Sequence, residues 1–321
     1  MQDNPHTPAN SASLRTLRGF AAEEGGAIPL DGRAAFTLLR PSTGCIPILI
    51  SVPHAGRRYP PEVLQRMRQA ETTTLMLEDR YSDRLGEEIA QATGATLLIA
   101  EAPRALIDLN RAPQDIDWNM IDRGPSRQAV PSGTTSRARG GLGLIPRKLA
   151  RVGEIWTDKT SQDELEQRIS GIHSPYHTTV QQVLSEMRAE WGVALLIDLH
   201  SMPPIGRQAS HVPAAQLVLG DRFGAACATA LSSAALQWLQ QARTAAHNLP
   251  YAGGYVLERH GKPASGVHAL QLEVCRSLYL DGEMRELNAR FATIGRELAA
   301  FVKNMAAELR WLADPLPQAA E

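Results

Sequence analysis

Cysteine is scarce in this 321-residue chain: Cys45, Cys227 and Cys275 are the only three. They are too few and too scattered for a disulfide framework or a cysteine zinc site, and each is expected to pack as a small apolar residue. Long apolar runs are missing too, because the longest, 45–52, is strand-sized and far short of the roughly 18 residues that span a bilayer. Neither sign of charge dominates. Thirty-three Lys plus Arg stand against thirty-four Asp plus Glu, a net charge of -1, so no bulk field points to nucleic acid or to an anionic membrane. Lysine itself is rare, at positions 148, 159, 262 and 303 only, which leaves arginine as the dominant cation. No basic segment followed by an apolar stretch precedes residue 40, so no signal peptide is expected and a cytoplasmic location is. There is no internal repeat and no GxGxxG after a strand, and Gly140–Gly143 lacks the P-loop Lys-Ser/Thr, which disfavours nucleotide binding.

What is present is the composition of a globular protein, 43% apolar and 21% charged. Residues 1–34 lack a sustained period and read as a loosely ordered N-terminal leader; 35–312 read as a single α/β catalytic domain and 313–321 as a tail. Strand-like segments at 45–52, 95–100, 193–201, 214–220 and 268–276 alternate with helix-like ones at 79–93, 175–191, 222–241 and 283–312. The Gly-, Pro- and Arg-rich stretch 112–147 reads as a long loop. This alternation predicts a mostly parallel or mixed central sheet flanked by helices, with ligands bound outside the carboxyl ends of the strands.

Nine histidines are distributed along this frame. His6 lies in the leader, and His211 and His247 lie in polar loop stretches where a solvated ring is the default. His173 and His177 imitate a two-histidine helical metal face, but Pro175 is expected to leave His173 ahead of the helix, and no Glu stands between them. His260 and His268 flank a Gly/Pro loop. His54 and His200 differ, because each ends an apolar strand beside turn-forming residues and near carboxylates: Asp198 next to His200, and Glu78, Asp79 and Asp83 after His54. Two histidines and one carboxylate with an open position form the zinc arrangement of metal-assisted hydrolysis. Asp198, two residues before His200 on one strand face, is placed to orient that ring. Glu273 is a lone acid in an apolar strand, where the alternative is a plain ion pair with Arg276.

Nine blocks then carry a resemblance. PHAGRRYP (53–60), RALIDLNR (104–111), GLIPR (143–147), SPYH (174–177), IDLHSMPP (197–204), VLGDRFGA (218–225), NLPYAGGY (248–255), HG (260–261) and GVHALQLEVCRSLYLD (266–281) together resemble the N-formylglutamate amidohydrolase family. The resemblance runs in order over about four-fifths of the chain. It implies a fold similar to that of zinc carboxypeptidases and aspartoacylases (phosphorylase/hydrolase-like). The implied reaction is hydrolysis of N-formyl-L-glutamate to formate and L-glutamate, a terminal step of one histidine-degradation route. It also implies one divalent ion, zinc, on His54 and His200. Carboxypeptidases take their acidic ligand three residues after the first His, where this chain has Arg57. The acid is therefore sought in Glu78-Asp79-Arg80-Tyr81-Ser82-Asp83-Arg84-Leu85, with Asp79 favoured as a helix-start ligand and Asp83 as the alternative. Arg80 replaces the family's aromatic there.

By the same resemblance Glu273 matches the general base. A dicarboxylate substrate needs fixed cations, and Arg104, Asn110, Arg111 and Arg276 are the candidates, with Arg137, Arg139 and Arg147 in the long loop as residues that close over it. An ion pair of either Arg104 or Arg111 with Asp108 is the competing reading. The expected partner is a small N-formyl amino acid; the oligomeric state stays open. Another N-acyl amino acid amidohydrolase or a carboxypeptidase-like metallohydrolase is the alternative activity, and a non-catalytic amino-acid-binding protein is the alternative class. A serine mechanism at Ser201 lacks the Gly-x-Ser-x-Gly elbow.

Overall fold

The computed structural model describes residues 15–123, 135–205 and 214–313. His6, His211, the 314–321 tail, residues 1–14 of the expected leader and 124–134 of the expected loop lie outside the described residues. Among the described residues ten strands form two sheets: β1 (Phe20–Gly25), β2 (Phe36–Pro41), β3 (Ile48–Val52), β4 (Thr96–Ala100), β5 (Lys148–Leu149), β6 (Gly153–Glu154), β7 (Ala194–Met202), β8 (Leu217–Gly220), β9 (Ala245–His247) and β10 (Val267–Cys275). The main sheet runs β1-β2-β4-β3-β7-β10-β8-β9, and β5 pairs with β6 apart from it. Its centre, β4-β3-β7-β10, is parallel, whereas β1, β2 and β8 each join by an antiparallel pairing. The architecture is therefore a mixed α/β sheet flanked by helices. Among the described residues no helix is long and apolar enough to cross a membrane.

The central strands alternate, and each face of the sheet carries its own apolar cluster. On one face Ile48, Ile50, Val52, Leu97, Ile99, Leu195, Ile197, Leu270 and Leu272 pack against the helices Ser82–Thr93, Thr229–Ala242 and Phe291–Ala313. On the other, Leu49, Leu98, Leu196 and Ala269 pack against Ser174–Trp191 and Tyr255–His260. Along this second face the side chains turn polar toward the carboxyl ends. Ser51, Asp198 and Gln271 align across β3, β7 and β10, and His200 aligns with Glu273 one pleat further on. The strand register thus gathers polar groups into one buried row above an apolar floor.

Five expectations are corrected. Residues 20–25, inside the expected leader, form edge strand β1, and Arg15 reaches Asp83, Glu87 and Glu101; β1 is only half-buried, so its sequence FAAEEG carries little apolar signal. Asp79 lies in the turn between the helices Ala70–Leu77 and Ser82–Thr93 rather than inside a helix start. The closing helix begins at Phe291 rather than 283, and the 112–147 stretch contains the short helices Trp118–Met120 and Ser136–Arg139. Finally, His173 is not ahead of the helix: a π-turn, Ile169–His173, runs straight into Ser174–Trp191, and the Gly171 carbonyl, which Pro175 cannot serve without an N–H, accepts from the Ala27 N–H at 2.8 Å.

One glycine fixes the entry to the site. A Cβ on Gly56 would lie 2.1 Å from the Ala102 carbonyl oxygen, so the turn that follows His54 presses directly on the backbone after β4. Gly56→Ala is expected to cost about 1–3 kcal/mol, as overpacking against backbone does, in urea unfolding. A loss under about 0.5 kcal/mol would show that this turn can move away.

Candidate active site

His54 follows β3 by two residues, His200 lies near the end of β7, and Asp79 is drawn to them because its backbone N–H donates to the His54 carbonyl at 2.8 Å. Each of the three is 3% exposed. Asp79 Oδ2 lies 3.0 Å from His200 Nδ1 and 3.6 Å from His54 Nδ1, and the three potential ligand atoms fall within 4.8 Å of one another. The opposite ring nitrogens are held by buried carboxylates: His54 Nε2 lies 2.8 Å from Asp108 Oδ1, and His200 Nε2 lies 2.8 Å from Asp198 Oδ2. Such contacts fix each ring with Nε2–H outward and the Nδ1 lone pair toward Asp79. His54 Nδ1 is buried without a hydrogen-bond partner. Two ring lone pairs and a carboxylate facing one another repel unless a cation lies among them, so this donor set fits a divalent ion.

Without an ion, a proton shared between His200 Nδ1 and Asp79 takes the cation's place, and a metal ion would displace it. Burial alone would raise the Asp79 carboxyl, yet the hydrogen bonds and charges of His200 and His54 hold it well below the usual range. Burial alone would lower His200, yet Asp198 and Asp79 hold it well above its ordinary value. Asp108 is held low, despite burial, by Arg104 and His54. Glu273, paired in register with His200, behaves in the opposite way: burial, with Asp79 and Asp198 near, pushes its carboxyl up to about 7.

Asp83 does not join the cluster; it pairs with Arg15 and Arg57. Arg104 forms an ion pair with Asp108 at 2.9 Å, but a buried one that reaches His54 rather than a surface pair. Arg276 donates to Ser201 Oγ, the Glu78 carbonyl and Asp79 Oδ1, so it braces the cluster. Asn110 accepts from the Val256 N–H, donates to Gln271 Oε1 at 3.3 Å and lies 3.3 Å from His200 Nε2. Gln271 in turn donates to Glu273 Oε1 at 3.1 Å. The sequence reasoning missed Gln271, although the period of two along β10 puts it on the face of Glu273.

These residues border a cavity of about 600 Å³, whose wall also holds Arg111, Arg137, Arg151, Tyr251 and Arg285. Arg285 is paired with Glu71. Among the described residues Arg111 donates only to the carbonyls of Leu142 and Asn110. Burial lowers its pKa and, although Asp108 opposes this, Arg104 and Arg137 lower it further. Among the described residues no carboxylate pairs with Arg111, Arg137 or Arg151, so the cavity wall carries unneutralised cations as well as its acidic cluster. Arg147 is engaged by Asp117 and Glu154, and neither it nor Arg139 lines the cavity. Arg151 was not anticipated, and nothing in its local sequence distinguishes it.

The class defined by fold and site is an α/β protein with a buried histidine–aspartate–histidine cluster at the carboxyl edge of its sheet, open to an arginine-lined cavity. The chain belongs to the N-formylglutamate amidohydrolase family, whose sequence profile matches residues 46–280. N-formylglutamate deformylases of Pseudomonas aeruginosa and Pseudomonas putida are 30% and 29% identical to it, over 74% of this chain and 84% and 83% of theirs. An N-formylglutamate amidohydrolase structure from Ralstonia eutropha JMP134 superposes with a TM-score of 0.77 at 32% identity, covering 86% of this chain and 98% of its own. A gene product of Agrobacterium tumefaciens, 17% identical with a TM-score of 0.57 over 82% of this chain and 89% of its own, shares the fold.

The Arg104–Asp108 pair makes a stability test. Arg104→Met leaves a buried carboxylate short of its main countercharge, and removing one half of such a pair costs roughly 3–5 kcal/mol. Chemical denaturation is expected to show a loss near the lower end, because Arg104 is 23% exposed. A loss under about 1 kcal/mol would mark the pair as solvent-screened.

Proposed function

We propose that this chain hydrolyses N-formyl-L-glutamate to formate and L-glutamate, using one divalent ion, zinc, and that it does so in the cytoplasm as a terminal step of a histidine-degradation route. The observation that carries the reading is the convergence of His54, His200 and Asp79 at a cavity lined also by Glu273 and by arginines that pair with no carboxylate among the described residues. The names of the relatives supply the substrate. An ion held by those three atoms would lend Lewis acidity to the formyl carbonyl and to water.

The chain's own groups do the rest. Glu273, pushed up to about 7 by burial, is suited both to take a proton and to return it at neutral pH. It takes a proton from the water that attacks the formyl carbon and delivers it to the amide nitrogen as the C–N bond breaks. The water oxygen leaves in formate, and the nitrogen leaves as the amine of glutamate. Gln271 orients Glu273 through its amide. Arg111, whose guanidinium pairs with no carboxylate among the described residues, holds one substrate carboxylate, and the cations at Arg137 and Arg151 favour the second. Arg104 and Arg276 act mainly through Asp108 and Asp79.

Freshly purified protein is expected to contain about one zinc per chain and to release formate from N-formylglutamate faster than from other N-formyl amino acids. His54→Ala and His200→Ala should lose metal and turnover together; full metal content in both would remove the proposed ligands. Glu273→Gln should keep metal and lose about 10²–10⁴-fold in kcat, whereas near-normal turnover would return Glu273 to a structural role.

Specificity supplies a separate measurement. Arg111→Met should lower kcat/KM for N-formylglutamate by roughly 30-fold or more, the loss that follows when a desolvated charge pair loses one partner, with metal content unchanged. N-formylglutamine reports which carboxylate is involved. If Arg111 holds the α-carboxylate, both substrates suffer equally; if it holds the side chain, N-formylglutamine is insensitive. A loss under about threefold on both would describe a solvent-exposed arginine.

A further inference from the structure

Three buried histidines outside the cluster, His173, His177 and His260, converge on the segment that carries Asn110 and Arg111. That segment is a turn in which the Arg111 N–H donates to the Asp108 carbonyl and the Asn110 N–H to Asp108 Oδ1. Its buried carbonyls need donors, and regular structure supplies none of them. His177 Nε2 donates to the Leu109 carbonyl at 2.9 Å, and His173 Nε2 donates to the Arg111 carbonyl at 2.9 Å. Between them, the Asn110 carbonyl accepts from the Tyr255 N–H and from Arg111. The two rings are one helical turn apart, with centroids at 4.4 Å, the side-by-side placement that i, i+4 spacing gives.

The third histidine fixes the second. His177 Nε2 carries the proton given to Leu109, so its Nδ1 is an acceptor, and His260 Nε2 donates to it at 3.0 Å. His260 closes the helix Tyr255–His260, whose Val256 N–H grips Asn110 Oδ1. One short helix therefore holds Asn110 from its first turn and, through His177, the Leu109 carbonyl from its last. Each ring is kept neutral, as this tautomer chain requires: burial lowers all three, the charge of Arg259 adds to it, and His260 falls to about 3.

We propose that His173, His177 and His260 are positioning residues, a clamp on the Leu109 and Arg111 carbonyls that sets how Asn110 and Arg111 project into the cavity. The inference rests on the proposed function only for the substrate that those two side chains meet.

The test uses paired substitutions in the full-length protein. His177→Phe and His173→Phe keep the ring volume and remove the donor; His177→Gln and His173→Gln return an amide N–H near the Nε2 position. With N-formylglutamate, the Phe variants are expected to raise KM at least about tenfold, with a smaller change in kcat and unchanged zinc, since misplacing a binding group by about 1 Å costs up to about 10²-fold. The Gln variants should stay within about threefold of wild type. Phe variants that lower Tm but leave KM at the wild-type value would overturn the clamp, as would Gln variants no better than Phe. If His177→Phe does not fold, His173→Phe carries the same comparison on the neighbouring carbonyl. If the wild-type protein itself releases no formate, the proposed function fails separately. The clamp is then decided by hydrogen exchange of amides 108–111: faster exchange in the Phe variants upholds it, and unchanged protection overturns it.

Discussion

Two buried aspartates hold the site in place. Asp108 and Asp198 sit at 1% and 0% exposure, a costly place for a carboxylate unless every lone pair finds a donor. Asp108 is satisfied by His54, Arg104 and the Asn110 N–H, and Asp198 by His200 and Ser51. Because both spend one contact on an imidazole Nε2, neither ring is free to flip, and both Nδ1 atoms face Asp79. The cluster is therefore a consequence of carboxylate satisfaction one layer out. Its geometry persists only while the surrounding sheet keeps water away from those aspartates.

That exclusion comes from the sheet. The two apolar clusters close over the strands from both sides, and on the second face the apolar floor stops where Ser51, Asp198 and Gln271 begin. Parallel pairing of β3, β7 and β10 keeps these three in a single row. A slip of one residue in β7 would turn Asp198 and His200 into the apolar cluster on the far face. The hydrophobic pattern and the polar site thus enforce the same register.

Charge is separated within the cavity even though the whole chain is almost neutral. The acidic cluster occupies the strand ends, and arginines from several other segments line the same cavity. Some of them, Arg104 and Arg276, are bound into the acidic network; Arg111, Arg137 and Arg151 have no carboxylate among the described residues. An anion entering here exchanges water for guanidinium without displacing an internal ion pair, and that favours an acidic substrate over a neutral one.

The strands and their polarity were legible in the sequence because side-chain direction along a strand is local. The period of two in 193–201 was enough to put His200 beside Asp198 on one face, and the alternation of Leu270, Leu272 and Val274 left Glu273 on the opposite face of its own strand. The edge strand β1 escaped because half its side chains face solvent, and the helical placement of His173 escaped because a proline in a helix's first turn looks like a break from the sequence. The choice between Asp79 and Asp83, the bridge from Arg104 through Asp108 to His54, and the meeting of three histidines from two helices over residues 109–111 depend on chain segments tens to more than a hundred residues apart. Local pattern decides which way a side chain points; only the packing of the crossover helices on the sheet decides which side chain it meets there.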